Sequence, residues 1–340
     1  MFQHIKFNKP SLKRVLYGGL GGSVGILGVM FTVALYVVET LIRPKKHAPF
    51  EDYTVSPYEL DLPAETVVFP PQQGDHMVSG WYIAAPAATT TILVCPGYRT
   101  PKTDVLGLCA KLWHAGHNVL VFEYYGHGKV VGASVTLGYR EMNDFLGAVA
   151  YAKARAPETR LGVIAFSMGA SVAIMCSAHC DDVEAIVADS AFATHASAVD
   201  YNFRRAVHIP FAPFIWMADY LLWVRAGYHF YQVEPLREIG LIAPRPILLI
   251  QGGKDTIVDP HDALLLYKAA GEPKELWTLS TADHCGAYFV DRIAYTRKVL
   301  DFFDIYLRKP RLQLVDSADK DSTDNADSAD NTPENLSEAS

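Results

Sequence analysis

Cysteine is scarce in this 340-residue chain, with only Cys95, Cys109, Cys176, Cys180 and Cys285. The count is odd and the spacings match no zinc site, which argues against a disulfide framework and against a structural metal. Cys176 and Cys180 are spaced to share one face of a helix, where thiols serve as small core residues. Cys285, beside His284, reads as an inert neighbour rather than a reactive thiol. Surplus charge is also missing from most of the chain. The formal net charge is −7, yet eight acids and a single base, Lys320, lie between Asp316 and Ser340. The 30 bases less Lys320, and the 37 acids less those eight, leave 29 of each elsewhere. That balance gives no sign of a nucleic-acid surface. The tail (316–340) has too few apolar residues to bury a core and is expected to be disordered.

From Val15 to Val38 there is no charge at all. Those 24 residues would make a helix about 36 Å long, against a hydrocarbon core of about 30 Å. Lys13-Arg14 and Arg43-Pro44-Lys45-Lys46 bracket the run. It is too long for a signal peptide and no small-residue cleavage site comes after it. The expectation is a single-pass transmembrane helix over 15–42 after a short N-terminal segment (1–14), with the lipid bilayer as partner. Four positive charges before the span and three after it favour a cytoplasmic N-terminus. The unpaired cysteines lean the other way. Gly18, Gly22 and Gly21, Gly25 form two G-x-x-x-G pairs that would allow a homodimer through this helix, although glycine is common in such segments.

Residues 43–63 read as a juxtamembrane linker. The stretch 64–315 is long enough for one large α/β domain. Thr66–Phe69 and Met77–Ala84 look like an antiparallel pair of strands, with Val105–His114 and Tyr139–Ala154 helical further on. Thr91–Cys95, Asn118–Phe122, Leu161–Ala165, Val183–Ala188, Pro246–Ile250 and Glu275–Leu279 are short apolar runs alternating with helix-type segments, and a helix over Tyr288–Leu307 closes the domain. The pattern predicts an α/β fold with a mostly parallel sheet covered on both faces. One stretch, about 191–243, has no good strand but many aromatics, among them Tyr201, Phe203, Phe214, Trp216, Tyr220 and Trp223. It reads as a small helical cap over the C-terminal edge of the sheet, suited to an apolar substrate.

Ser167 stands in Ala165-Phe166-Ser167-Met168-Gly169, between a strand-type and a helix-type run. A serine hydroxyl is a poor nucleophile until a base takes its proton, and that base must be oriented by a third group. Asp255, after the strand at Pro246, and His284, after the last strand, supply both. A sharp strand-to-helix turn would lift Ser167 above the sheet and demands small residues two before and two after it. Here these are Ala165 and Gly169, with alanine in place of the usual glycine. An oxyanion hole needs two backbone N–H donors, assigned to Met168 and to Tyr98 in Pro96-Gly97-Tyr98. Asp189 is a competing acid and His127, in Gly126-His127-Gly128, a competing base with a loop-structuring role preferred for it. His114 and His117 read as surface residues. No cofactor and no metal is expected.

These residues, with Tyr125-Gly126-His127-Gly128 and Val258, carry a resemblance to the α/β-hydrolase superfamily. It is closest in look to the serine aminopeptidase-like and prolyl-oligopeptidase-related branch with its membrane-anchored members, and it spans roughly Thr66–Leu307. The resemblance implies a serine hydrolase with a Ser167–His284–Asp255 triad, acting on a small-molecule or peptide substrate. An esterase on an apolar substrate is favoured. A peptidase of aminopeptidase type is the alternative and would need cap acids such as Asp200, Asp219 or Glu234 to grip an ammonium. An inactive hydrolase fold serving as an interaction module is the reading from another class.

Overall fold

The computed structural model describes residues 12–43, 55–127, 134–206 and 212–308, with the backbone alone for 12–24 and for 26, 206, 212 and 213. The N-terminal segment up to residue 11, most of the expected linker (44–54) and the acidic tail lie outside the described residues.

Eight strands form one sheet: β1 Ala64–Phe69, β2 Val78–Ile83, β3 Thr90–Cys95, β4 Asn118–Glu123, β5 Arg160–Phe166, β6 Val183–Asp189, β7 Ile247–Gly252 and β8 Lys274–Leu279. Their order is β1-β2-β4-β3-β5-β6-β7-β8. β1 and β2 pair antiparallel, as does β2 with β4, and every later pairing is parallel. β3, β4 and β7 are buried at every position, which is why they read as unbroken apolar runs rather than as an alternation.

Helices cover both faces: α1 Leu12–Ile42, α2 Leu106–His114, α3 Glu141–Arg155, α4 Met168–Ser177, α5 His195–Ala206, α6 Ala212–Ala226, α7 Pro235–Glu238, α8 Pro260–Ala269, α9 Ala287–Val290 and α10 Arg292–Phe303. Successive strand residues point to opposite faces. So Leu93 and Cys95 join the layer under α3 and α4, while Ile92 and Val94 join the layer with α2 and α10. α5, α6 and α7 fall between β6 and β7, in the stretch expected to form a cap, and are called the cap below.

Several expectations need correction. The closing helix is not continuous. Asp291 caps α10 by accepting from Ile293 N–H and Ala294 N–H, and so separates it from the single turn of α9. Cys180 lies beyond the end of α4, so it shares no helix face with the buried Cys176. His117 is buried, not superficial. Its Nδ1 meets the Thr90 hydroxyl, and burial pulls its pKa down to about 4. The end of the supposed linker is structured: Pro57–Leu60 makes a helical turn and Leu62 is buried.

Among the described residues no helix is long and apolar enough to cross a membrane. The first ten residues of the charge-free run, with Gly18, Gly21 and Gly22, fall where α1 has no described side chains. The second half of α1 is not free of the domain. Ala34, Val38 and Ile42 are buried in the same apolar layer as the cap, and α1 packs along α6. Glu39 pairs with Arg225 of α6, and the Ile42 carbonyl accepts the Val135 N–H.

Candidate active site

β5 runs into α4 with one residue between them, Ser167, whose backbone sits at φ 53° and ψ −121°. A side-chain-bearing residue rarely adopts positive φ, and here it lifts the hydroxyl off the sheet. The turn is tight enough that a Cβ on Gly169 would lie 2.3 Å from the Pro96 carbonyl oxygen. Ala165, two residues before, is fully buried at the end of β5, so that position holds a methyl group.

His284 comes from the loop after β8. Its Nε2 lies 2.8 Å from Ser167 Oγ, and its Nδ1 lies 2.7 Å from Asp255 Oδ2. The carboxylate can only accept at Nδ1, which places the ring proton there and leaves Nε2 free to accept from the serine. Asp255 is itself held on its other oxygen by the Ile257 N–H (2.8 Å) and the Val258 N–H (2.9 Å), while Gln251 Nε2 donates to Oδ2 at 3.1 Å. The Tyr201 hydroxyl of α5 donates to the Asp255 carbonyl, tying the cap to the acid loop. The structure therefore brings together all three residues expected from the sequence.

Two further groups hold the strained turns in register. The Ser167 N–H donates to the carbonyl of Asp189, at the end of β6. The Asp189 carboxyl accepts from the Ser190 hydroxyl (2.9 Å) and the Tyr295 hydroxyl (2.9 Å). Ser190 Oγ in turn accepts the N–H of Cys285, next to His284. Ser167, Ser190 and Cys285 all have positive φ, so three strained residues are tied together through Asp189. Burial pushes the Asp189 carboxyl up to about 6. Asp189 does not touch the imidazole, so it is a support and not the rival acid. Burial also holds the Cys285 thiol well above its usual pKa, in keeping with an inert neighbour.

Met168 begins α4, and a helix start leaves its first N–H groups without intrahelical partners. Gly97, just before Tyr98, lies so close that a Cβ there would be 3.2 Å from the Ser167 Cβ. The loop behind it is fixed by His127. Its Nδ1 accepts the Arg99 N–H at 3.0 Å, so its Nε2 carries the proton and donates to Glu141 Oε1 at 3.1 Å. Both ring nitrogens are thus engaged away from Ser167, which leaves His127 the structural role. Burial raises the Glu141 carboxyl, but the bonds from His127 and Thr136 outweigh it and bring the pKa to about 2. A cavity of about 350 Å³ is lined by His76, Tyr125, Arg140, Glu141 and Asp144, and it includes none of Ser167, Asp255 and His284.

The Tyr98 side chain makes a contact that no motif signals. Its hydroxyl donates to the Leu41 carbonyl (2.8 Å) and reaches the Thr40 carbonyl (3.2 Å), so the last turn of α1 rests on the loop that carries Gly97 and Tyr98. Burial pushes that phenol up to about 12, and it stays a donor. No local pattern joins residues 41 and 98. The cap acids are each engaged: Asp200 with Arg204, Asp219 with His229 and the Phe230 N–H, Glu234 with Arg237. Among the described residues no cluster of His, Cys, Asp and Glu could hold a metal ion.

The chain is similar to known proteins in both sequence and fold. The family described as "Serine aminopeptidase, S33" matches residues 86–222, a stretch that includes Ser167 and stops before Asp255 and His284. The uncharacterized protein YqkD of Bacillus subtilis (strain 168) is 26% identical over 306 residues, covering 86% of this chain and 98% of its own. The uncharacterized protein YfhR of Escherichia coli (strain K12) is 25% identical over 291 residues, 82% of this chain and 93% of its own. Among solved structures, the Pyrococcus furiosus esterase Pf2001 superposes with a TM-score of 0.63 at 23% identity, covering 78% of this chain and 99% of its own. The acylaminoacyl peptidase of Pyrococcus horikoshii superposes with a TM-score of 0.54 at 15% identity, over 73% of this chain and 42% of its own.

Proposed function

We propose that this chain, whose sheet and structural neighbours are those of the α/β-hydrolase fold, is a membrane-anchored serine hydrolase that cleaves esters of apolar acids. The observation that carries the reading is the hydrogen-bonded line from Ser167 Oγ through His284 to Asp255. His284 Nε2 takes the hydroxyl proton as Ser167 Oγ attacks the carbonyl carbon. The oxyanion is received by the N–H groups of Met168 and Tyr98, each such donor lowering the barrier by about 3 kcal/mol. Asp255 stabilises the imidazolium, which then gives its proton to the leaving alkoxide. Water, deprotonated by the same histidine, attacks the acyl-serine and releases the acid.

An ester is favoured over a peptide because all three cap acids are already paired, so none offers a free carboxylate to a substrate ammonium. α1 supplies the anchor, with its charge-free run up to about Ala34 in the bilayer, the N-terminus in the cytoplasm and the hydrolase domain on the other side.

A fluorophosphonate probe tests the chemistry. Wild type is expected to be labelled and Ser167→Ala is not. Absence of labelling in folded, detergent-purified wild type would instead favour an interaction module. A series of p-nitrophenyl esters of increasing acyl length, run beside aminoacyl nitroanilides, tests the substrate class. Faster turnover of the anilides would replace the esterase reading with a peptidase.

A further inference from the structure

α6 is apolar on both faces. Its inner face buries Phe214, Ala218, Leu221 and Leu222. Its outer face presents Trp216, Tyr220, Trp223 and Val224, spaced four, three and one apart and so aligned on one stripe. Trp216 is 78% exposed and Tyr220 58%. An exposed apolar stripe on a helix whose opposite face is already buried marks a contact surface, and no described part of this chain covers it.

The neighbour of α6 indicates the occupant. α1 runs parallel to it: Val29, Met30 and Val33 share a small apolar cavity with Phe214, and ten residues on from Val29, Glu39 pairs with Arg225. α1 also carries apolar side chains outward there, at Leu27, Val29, Phe31 and Tyr36. Counted from Val15, the first residue of the charge-free run, about 20 residues of helix cross the hydrocarbon and end at Ala34. Phe214 touches α1 inside that limit. The first turns of α6 must then lie at the acyl boundary, with tryptophan and tyrosine facing outward as interfacial side chains do. The ion pair of Glu39 with Arg225 falls on the polar side.

Resting on the reading of α1 as an anchor, we propose that the outer stripe of α6 is a second membrane contact. It seats the cap in the bilayer interface and presents the catalytic site to esters held in the bilayer. Leu41, whose carbonyl receives the Tyr98 hydroxyl, is seven residues beyond Ala34, which puts the oxyanion loop about 10 Å above the hydrocarbon edge. A long-chain acyl ester can reach Ser167 while its tail remains among the lipids.

The test uses the full chain reconstituted in phosphatidylcholine vesicles containing bromolipid. Five tryptophans report, and Trp81, Trp113 and Trp277 belong to the sheet body. Bromolipid is expected to quench wild-type emission, and the double variant W216F/W223F is expected to lose most of that quenching. In the same vesicles, W216S/W223S is expected to lose most of its rate on a long-chain glycerol ester and to keep its rate on soluble p-nitrophenyl acetate. Protein that stays in the bilayer through alkaline carbonate, yet shows no quenching difference between wild type and W216F/W223F, would overturn this inference alone. Release of wild type by carbonate would overturn the anchor and the inference with it. A concentration-dependent dimer that shields Trp216 would assign the stripe to a second copy and would also overturn it.

Discussion

The sheet edge that carries Ser167 and the seam between α1 and the cap are held by different kinds of force. At the edge, backbone groups set nearly every position: Asp189 O holds the Ser167 N–H, the Ile257 and Val258 N–H groups hold Asp255, and Ser190 holds the Cys285 N–H. Three non-glycine residues at positive φ are locked there. At the seam, contact is made mostly by apolar side chains, with one partly exposed ion pair and a small cavity. The chemical end is over-determined, and strain is tolerated because several bonds oppose it. The seam is non-directional packing, which is easier to shift and less tied to particular residues.

The contrast can be broken most severely at the acid. In Asp255→Asn, the Ile257 and Val258 N–H groups would claim the amide oxygen and turn its NH₂ toward His284 Nδ1, imposing the wrong tautomer. A fall in kcat of about 10⁴-fold is expected, with a lower melting temperature because the Gln251 Nε2 donor loses its acceptor. Next comes Gly169→Ala, whose methyl group would strike the Pro96 carbonyl. A loss of roughly 3 kcal/mol is expected in a urea titration. Ser190→Ala leaves the Cys285 N–H without its acceptor and frees the histidine loop. It should cost about 1–3 kcal/mol and lower kcat more than it raises KM.

Acid sharpens the comparison from the other side. His195 opens α5, is fully buried, and has no hydrogen-bond partner on either ring nitrogen among the described residues. Burial pulls its pKa down to about 3. The unfolded chain takes up that proton near pH 6.5 and the folded cap does not. Stability from this group is therefore complete above pH about 6.5 and drains away as pH falls toward 3. Asp189 runs the opposite way. Its carboxyl is raised to about 6, so the folded body keeps a proton that the unfolded chain gives up near pH 4, and the body loses stability as pH rises through 6. Acidification should weaken the cap before the body, seen as a change in tryptophan emission before loss of sheet signal. His195→Phe should suppress that early phase. The smallest effect is expected from Ala165→Gly. It restores the usual glycine at the elbow and should leave activity unchanged, with about 0.5–1 kcal/mol lost from β5 in thermal melts.

The parallel strands were legible because burial on both faces writes them as unbroken apolar runs, as in Thr90–Cys95 and Ile247–Gly252. The site was legible for a related reason: Ser167, Asp255 and His284 each lie within a short loop of a strand's C-terminal end, so sheet order carries them to one edge. Less of the supporting layer could be read. His117 looked like a surface residue at a helix end, yet it packs under Thr90 and Arg308. Glu141 and His127 are 14 residues apart with no motif joining them, and they meet only because α3 folds back over the β4 loop. The break at Asp291 was visible only as one acid in a helical stretch.

The sequence by itself determined the alternation of strands and helices, the three residues Ser167, His284 and Asp255 that meet at the sheet edge, and a charge-free N-terminal run. These are set by local periodicity and by the residue types that the end of a strand presents. Only the tertiary structure decided that Asp189 ties the turns of Ser167 and Ser190 together, that α1 rests on the loop of Gly97 through Tyr98, and that α6 turns an aromatic stripe outward. Those outcomes depend on which distant groups meet. Such meetings are set by the burial of whole faces against one another, a property no short stretch of chain contains.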